Sequence, residues 1–449
     1  MAAKSNLNPL WLLFAALLQA ANGGAQPVTK VDGGLFHSLF LKNDGSLWAM
    51  GWGGDGQLGD GTYGQTNRPE LIVASNVTAI AAGDYHSLFL KRDGSLWVTG
   101  WNNYGQLGDG SYTTTNFSQL IVASNVTAIA AGYGHSLFLK SDGSLWAMGY
   151  NNYGQLGDGS YSNTNLPEQI VASNVMAIAA GEYHSLFLKS DGSLWAMGYN
   201  GTGQLGDGTY NNTNLPEPIV ASNVTAIAAG ALHTLFLKSG GSLWAMGYNG
   251  TGQLGDGTYN NTNLPEQIIA SNVTAIAAGE SHSLFLKNDG GLRAMGQQQY
   301  GQLGDGTYGK APFYSTNLPE PIVASNVTGI ARGGRHSLFT KSDGSLWATG
   351  WNTSGQLGDG TTLNVNQPEQ IVANPYYNRI LGRLLATGGM QLTFAGIAGA
   401  NYALDRATDL MPANWLPQAT NPADSFGTLI FTNTPAPSTN NFWRIRSVP

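Results

Sequence analysis

The 449 residues contain no cysteine, which excludes disulfides, thiolate nucleophiles and cysteine-ligated zinc and leaves the redox compartment open on this criterion. Charge is scarce too: charged residues make up 10% of the chain and the formal net charge is -7. So few cations cannot lay a broad phosphate-neutralising surface on DNA or RNA, and no nucleic-acid partner is expected. Long apolar runs are missing as well. The best one, residues 10–18, is shorter than the roughly 20 residues that span a bilayer. What the chain does have is glycine, 62 residues of it, about twice the usual share. With 42% apolar residues, this is a turn-rich folded chain rather than a disordered one.

The N-terminus reads as an export signal. Lys4 precedes the apolar run, and small residues lead to Gly23, Gly24 and Ala25. That is the layout of a signal peptide over residues 1–25, cut before Gln26. The chain is expected to be secreted or cell-surface, of bacterial type, with no transmembrane segment after cleavage.

All seven histidines fall in register, at His37, His86, His135, His184, His233, His282 and His336, separated by 49 residues five times and then by 54. The sequence GQLGDG keeps step, beginning at Gly56, Gly105, Gly154, Gly203, Gly252, Gly301 and Gly355. The longer spacing comes from an insertion at residues 309–315. A period near 50 with strand-like segments indicates propeller blades or solenoid coils. In the fourth repeat the strand segments are Val175–Ala180, 185–189, 193–197 and 218–221. Asp191-Gly192 lies between the second and third, where a two-residue type I′ hairpin turn is expected. Consecutive apolar residues such as Leu186, Phe187 and Leu188 make both faces of the sheet apolar, as a blade between two neighbours requires.

Seven such units close a ring, whereas an open solenoid needs polar caps that are not visible. The fold expected is all-β: a seven-bladed β-propeller of four-stranded antiparallel blades over residues 26–375, plus a small all-β C-terminal domain over residues 376–449. In that last segment apolar and polar residues alternate around 391–394, 401–404, 428–432 and 441–445. Its form resembles C-terminal modules appended to many exported bacterial proteins, which implies surface attachment or sorting; the alternative is a covering extension of the propeller. Residues 370–373 are expected to close the ring by completing the sheet that holds the first strand, near Val28 and Gly34.

The run from Gly181 to Trp195 (GEYHSLFLKSDGSLW), followed by Gly198, Asn200 and GQLG, resembles the repeat of the regulator-of-chromosome-condensation family. The resemblance covers about residues 28–373, in seven copies. It implies a seven-bladed propeller used as a binding platform, in roles that include nucleotide exchange on a small GTPase, chromatin docking, photoreception and secreted inhibition of β-lactamase. Met148, Met197 and Met246 stand where the family often has an aromatic residue. An exported, acidic chain also fits poorly with a nuclear exchange factor.

No catalytic constellation stands out, and no metal or cofactor is expected. Metal ligands must converge within about 2 Å of one ion, whereas one histidine per blade keeps the seven apart, so blade-to-blade hydrogen bonding is the role expected of them. The GQLGDG aspartates, such as Asp207 and Asp256, are expected to form turns, since they lack the spacing of a calcium loop. The glycine-rich segments lack the Lys-Ser or Lys-Thr of a phosphate loop. Sequons at Asn76, Asn125, Asn223, Asn272 and Asn326 are repeat copies.

A scaffold requirement repeats and a recognition requirement need not, so positions that vary between blades point to binding. Two places vary: the pair before each histidine, and the stretch after the third strand. In a meander both lie on one face of the disc. The binding candidates there are Tyr85, Trp101, Tyr104, Tyr150, Tyr153, Tyr183, Tyr300 and Trp351, of residue types that dominate interface hot spots. Blades six and seven depart furthest, with Arg293, Gln297, Arg332 and Arg335 in unusual places and Lys310, Phe313 and Tyr314 in the insertion. Lys310, Phe313, Tyr314 and Arg335 complete the candidate set, as a cationic and aromatic sector touching the partner. The function expected is an exported, monomeric binding module that presents this face to a protein or surface polysaccharide. A secreted enzyme inhibitor is the alternative, and an enzyme is the least favoured reading.

Overall fold

The computed structural model describes residues 26–309 and 314–373, together with six strands between Ile380 and Val448. The expected export signal, Lys310 and Phe313 lie outside the described residues. Two compact units are present: one comprises Val28–Lys341 with Ser345–Val372, and the other holds the strands beyond Ala373.

The first unit is a ring of seven four-stranded antiparallel sheets, spanning residues 28–73, 77–122, 126–171, 175–220, 224–269, 273–323 and 327–372. Each sheet is a simple meander. In the fourth blade Val175–Ala180 is innermost, followed by His184–Lys189, Leu194–Gly198 and the outer Thr213–Val220. The outer strand is longer than the sequence suggested because Pro216 and Pro218 sit at a sheet edge, where a missing N–H costs little.

The second strand reads HSLFLK and is buried on both faces in every blade, apart from the exchanges Thr234 and Thr340. One face meets the preceding blade and the other meets the following one. Leu137, Leu139, Leu145 and Ala147 of the third blade thus pack against Val175, Phe187 and Met197 of the fourth. The same arrangement recurs between all neighbours, and Val28, Phe40 and Met50 of the first blade meet Leu338, Leu346 and Ala348 of the seventh. The methionines fill a definite place: a Cβ on Gly157 or Gly255 would run into Met197 or Met295 of the next blade.

Two expectations are corrected. Residues 370–373 do not complete the first sheet, because Val365–Val372 pairs with Leu346–Gly350 of its own blade, Trp347 opposite Gln370. The strand phase explains this: Val28–Gly33 already pairs with His37–Lys42, so no strand is left to share, and the ring closes by side-chain packing and hydrogen bonds instead. The Asp191-Gly192 turn is not type I′ either, since only Gly192 has a positive φ, 79°. Gly192 N–H donates to Lys189 O and Lys189 N–H to Ser193 O, which makes a three-residue loop with glycine in the left-handed position. The Asp191 carboxylate accepts from Ser193 N–H and hydroxyl, which fixes the turn and holds its pKa below the usual range.

In the second unit Met390–Ala395 pairs with Ile380–Leu384 and Thr428–Asn433, and Asn401–Ala407 pairs with Leu416–Pro422 and Phe442–Val448. Two three-stranded sheets result, matching the alternation read from the sequence.

Candidate functional site

The histidines behave as expected. His37 Nε2 lies 2.8 Å from Ser87 Oγ of the next blade, the contact repeats from blade to blade, and His336 with Ser38 at 2.7 Å closes the circle. Each hydroxyl donates its only proton to the backbone carbonyl of a GQLGDG glutamine, as Ser87 does to Gln57 O. It can therefore only accept from the imidazole, which places the proton on Nε2. Each Nδ1 is left bare and buried. Burial lowers all seven imidazoles to a pKa of about 3, so they are neutral. The aspartates of GQLGDG are consumed by turns: Asp207 Oδ1 accepts from Thr209 N–H and from Asn200 Nδ2. The histidine and aspartate positions are thus scaffold.

The variable loops do meet on one face. Trp101 N–H donates to Tyr85 O, joining the loop before one histidine to the loop after the third strand. From there the side chains form a continuous aromatic arc. Tyr199 meets Tyr153 at 5.0 Å, Tyr153 meets Tyr183 at 5.3 Å, and Tyr104 meets Tyr150 at 4.5 Å and Trp101 at 5.0 Å. Tyr85 links Trp101 to Phe36 at 5.5 and 5.8 Å, and Phe36 reaches Trp351, which stacks on Tyr300 at 5.5 Å. Tyr133 is the hub, touching Tyr85, Trp101, Tyr104, Tyr150 and Tyr183. Sequence reasoning passed over Tyr133, although it stands in the variable pair before His135. The arc rings are half-buried, packed edge to face with one another, and they keep one side outward.

The expected cationic sector is organised differently. Arg335 is not a free anchor. Its Nε and Nη2 clamp Glu280 at 2.7 and 2.9 Å, and its guanidinium lies 5.4 Å from the Tyr300 ring and 5.2 Å from that of Trp351. Arg332 reaches across the central channel to the carbonyl of Ala180 on the fourth blade, 3.1 Å away. The channel it crosses is lined by alanines and isoleucines of the innermost strands, and one cavity there measures about 220 Å³. Arg293 takes the place of the stacked tryptophan opposite Phe285, outside this face. Tyr314 is exposed and offers its carbonyl to Gln298 N–H at 2.8 Å.

At the centre of the face the structure gathers carboxylates that the sequence reading did not assign. Asp84, Glu182 and Glu280 occupy the same register position, directly after the loop glycine, in blades two, four and six. Burial raises Asp84 to about 6, with Glu280 adding to the rise and Arg332 opposing it. Burial and then the charges of Asp84 and Glu280 raise Glu182 to about 8. Deeper in the channel Asp32 accepts from the N–H groups of Gly33 and Ala82, and burial still raises it to about 6. Tyr85 is pushed up to about 12 by burial and by Asp84. The signal that could have revealed the cluster was its alternation, an acid in every second blade.

The family model described as RCC1-like domain matches residues 16–223 and 113–395. Among solved structures, yeast RCC1 (Prp20) bound to Kap60 aligns with 80% of this chain and 86% of that one at a TM-score of 0.66 and 23% identity. Prp20p of Saccharomyces cerevisiae, described with its binding to Gsp1p and histones, aligns at 0.66 and 23% over 79% and 88% of the two chains. Human WBSCR16 aligns at 0.61 and 23% over 74% and 88%. These are likenesses of fold. An X-linked retinitis pigmentosa GTPase regulator homolog of Caenorhabditis elegans is 44% identical over 57 residues, which is 13% of this chain and 4% of that protein.

Proposed function

We propose, from the premise that this chain belongs to the RCC1-like domain family, that it is a non-catalytic binding module whose partner is a protein docked on the aromatic arc. One observation carries the reading. The strands repeat almost residue for residue, yet the loops of one face diverge and their aromatic side chains still join into a single surface from Tyr199 to Tyr300. Tyrosine and tryptophan offer large contact area with few rotors to freeze. The yeast relatives, described in complex with or binding to other proteins, support a protein as the partner class.

The test is site-specific photocrosslinking in the producing organism. A benzoylphenylalanine placed at Tyr104 is expected to capture a discrete partner, and one at Asn223, in a link between blades, is not. Capture from Asn223 alone would overturn the reading. The partner's nature sorts the finer possibilities: a hydrolase makes the chain an inhibitor, and a surface polysaccharide makes it an adhesin. Export is part of the proposal, and the mass of the protein recovered outside the cell should correspond to a start at Gln26. Cytosolic protein with residues 1–25 intact would remove it.

A further inference from the structure

The three carboxylates at the centre of the face invite comparison with one another, because they share a register position but not a fate. Glu280 is answered by Arg335, which stands in the second place of the variable pair on the following blade. The guanidinium is clamped by two hydrogen bonds and covered by Tyr300 and Trp351, so this face holds one complete guanidinium site made from the chain itself. At the corresponding place after Asp84 the chain has Gly134, and after Glu182 it has Leu232. Neither supplies a donor. Asp84 is only 5% exposed, and among the described residues no donor reaches its carboxylate or that of Glu182. The rings that cover Arg335 have only partial counterparts: Tyr104 and Tyr150 stand in the places of Tyr300 and Trp351 beside Asp84, where Tyr104 fills the space a side chain on Gly134 would need, and Thr202 and Tyr248 stand there beside Glu182.

Asp84 is buried and Glu182 half-buried, and withdrawing a carboxyl group from water without a partner is costly, so folded chains rarely keep such groups without a use. Arg332 offsets part of the charge but spends its observed hydrogen bond on Ala180. We infer that Asp84 and Glu182, which share the register of Glu280 but lack its arginine, receive guanidinium groups, the arginine side chains of the docked partner protein. This deepens the reading of the face as a docking surface and rests on it. The aromatic arc supplies contact area, and the carboxylates select a partner that carries two arginines on one segment. Bidentate carboxylate–guanidinium geometry, already realised at Glu280, gives that selection its directionality. Binding a cation draws the carboxyls into their charged form, so protons leave as the partner docks.

The test uses a fluorescein-labelled peptide, Gly-Ser-Arg-Gly-Ser-Arg-Gly-Ser, and the same peptide with citrulline, the neutral isostere, at both arginines, titrated at physiological salt against the full chain. The arginine peptide is expected to bind at least tenfold more tightly than the citrulline peptide. The preference should grow from pH 6 to pH 9, and Asp84→Asn combined with Glu182→Gln should abolish it. Leu232→Arg, which supplies Glu182 with an arginine from within, should weaken the arginine peptide severalfold while leaving Glu280–Arg335 untouched. It provides a second reading should the double variant fold poorly. Equal binding of the two peptides, or a preference that survives both variants, would overturn the inference. A partner still captured from Tyr104 under those outcomes leaves the docking face standing, whereas loss of that capture removes the docking face whatever the peptides do.

Discussion

Two buried polar systems lie close together in this ring and obey opposite rules. The histidine circle is repeated in every blade, each Nε2–H has its hydroxyl acceptor, and each hydroxyl has its carbonyl. The carboxylates of the central mouth appear only in alternate blades, and two of the three lack a donor among the described residues. Both systems leave polar atoms unpaired, since every histidine keeps a bare Nδ1, so the contrast lies in repetition: the histidine circle holds each pair of neighbouring blades in the same way, whereas the carboxylates mark out particular blades. The proposal that the mouth serves recognition rests on this difference and on no relative.

The two systems also titrate in opposite senses, and this gives the largest expected effect. The histidines have folded pKa values of about 3, below the ordinary 6.5, so the stability tied to their neutrality is present above pH 6.5 and is lost as the pH falls toward 3. Each imidazole contributes a slope of about 1.4 kcal/mol per pH unit in that window. Seven acting together exceed the usual stability of a domain within one or two units. Urea unfolding followed from pH 7 to pH 4 should therefore show a collapse of the midpoint below about pH 5.5. A midpoint that stays flat to pH 4 would mean the imidazoles are not neutral and buried, and the comparison would break.

A smaller effect is expected from one member of the circle. His184→Ala removes the donor to Thr234 and opens a hole at a blade interface, and should cost about 1–3 kcal/mol in unfolding free energy. Loss of acid sensitivity by one proton should accompany it. If the circle acted as a chain of mutually strengthening bonds, the cost would exceed that range, which would sharpen the contrast with the mouth.

The smallest effect belongs to the mouth. Glu182 is raised from 4.5 to about 8, and Asp84 from 3.8 to about 6, so both favour the fold most at low pH and withdraw that support as the pH rises through those values. Glu182→Gln should leave stability at pH 6 within about 0.5 kcal/mol of the parent. It should also flatten the decline between pH 6 and pH 9, read from the same urea series. Strong destabilisation by Glu182→Gln at pH 6 would place this carboxyl with the scaffold instead.

Most of the ring could be read from the sequence because its interactions are copied. One histidine in register seven times points to a contact between blades, and HSLFLK with both faces apolar points to a sheet between two neighbours. Closure was misjudged because residues 370–373 look the same whether they end the seventh blade or begin the first, and only the pairing of Trp347 with Gln370 decides between them. The aromatic candidates were legible as variable positions, but their mutual packing was not, since it depends on which loops become neighbours across blades. Arg335 was seen as an unusual cation. Its partner Glu280 lies 55 residues away, and no local pattern joins the two. The trio Asp84, Glu182 and Glu280 was missed because the variable positions were read for aromatic and cationic residues, whereas its significance lies in which blades carry an acid.

Because every sheet of the ring begins and ends within one stretch of chain, the boundaries of its hydrogen-bonded units coincide with the boundaries of the repeat in the gene. A recombination that duplicates or deletes 147 nucleotides, the coding length of one 49-residue period, would add or remove a whole sheet and leave no half-paired strand behind. Propellers that close by sharing a strand between their ends carry a seam that such an event must respect. Here any of the links between blades is an equivalent crossover point, and the near-identity of blades three, four and five is what recent copying at those points would leave in the sequence.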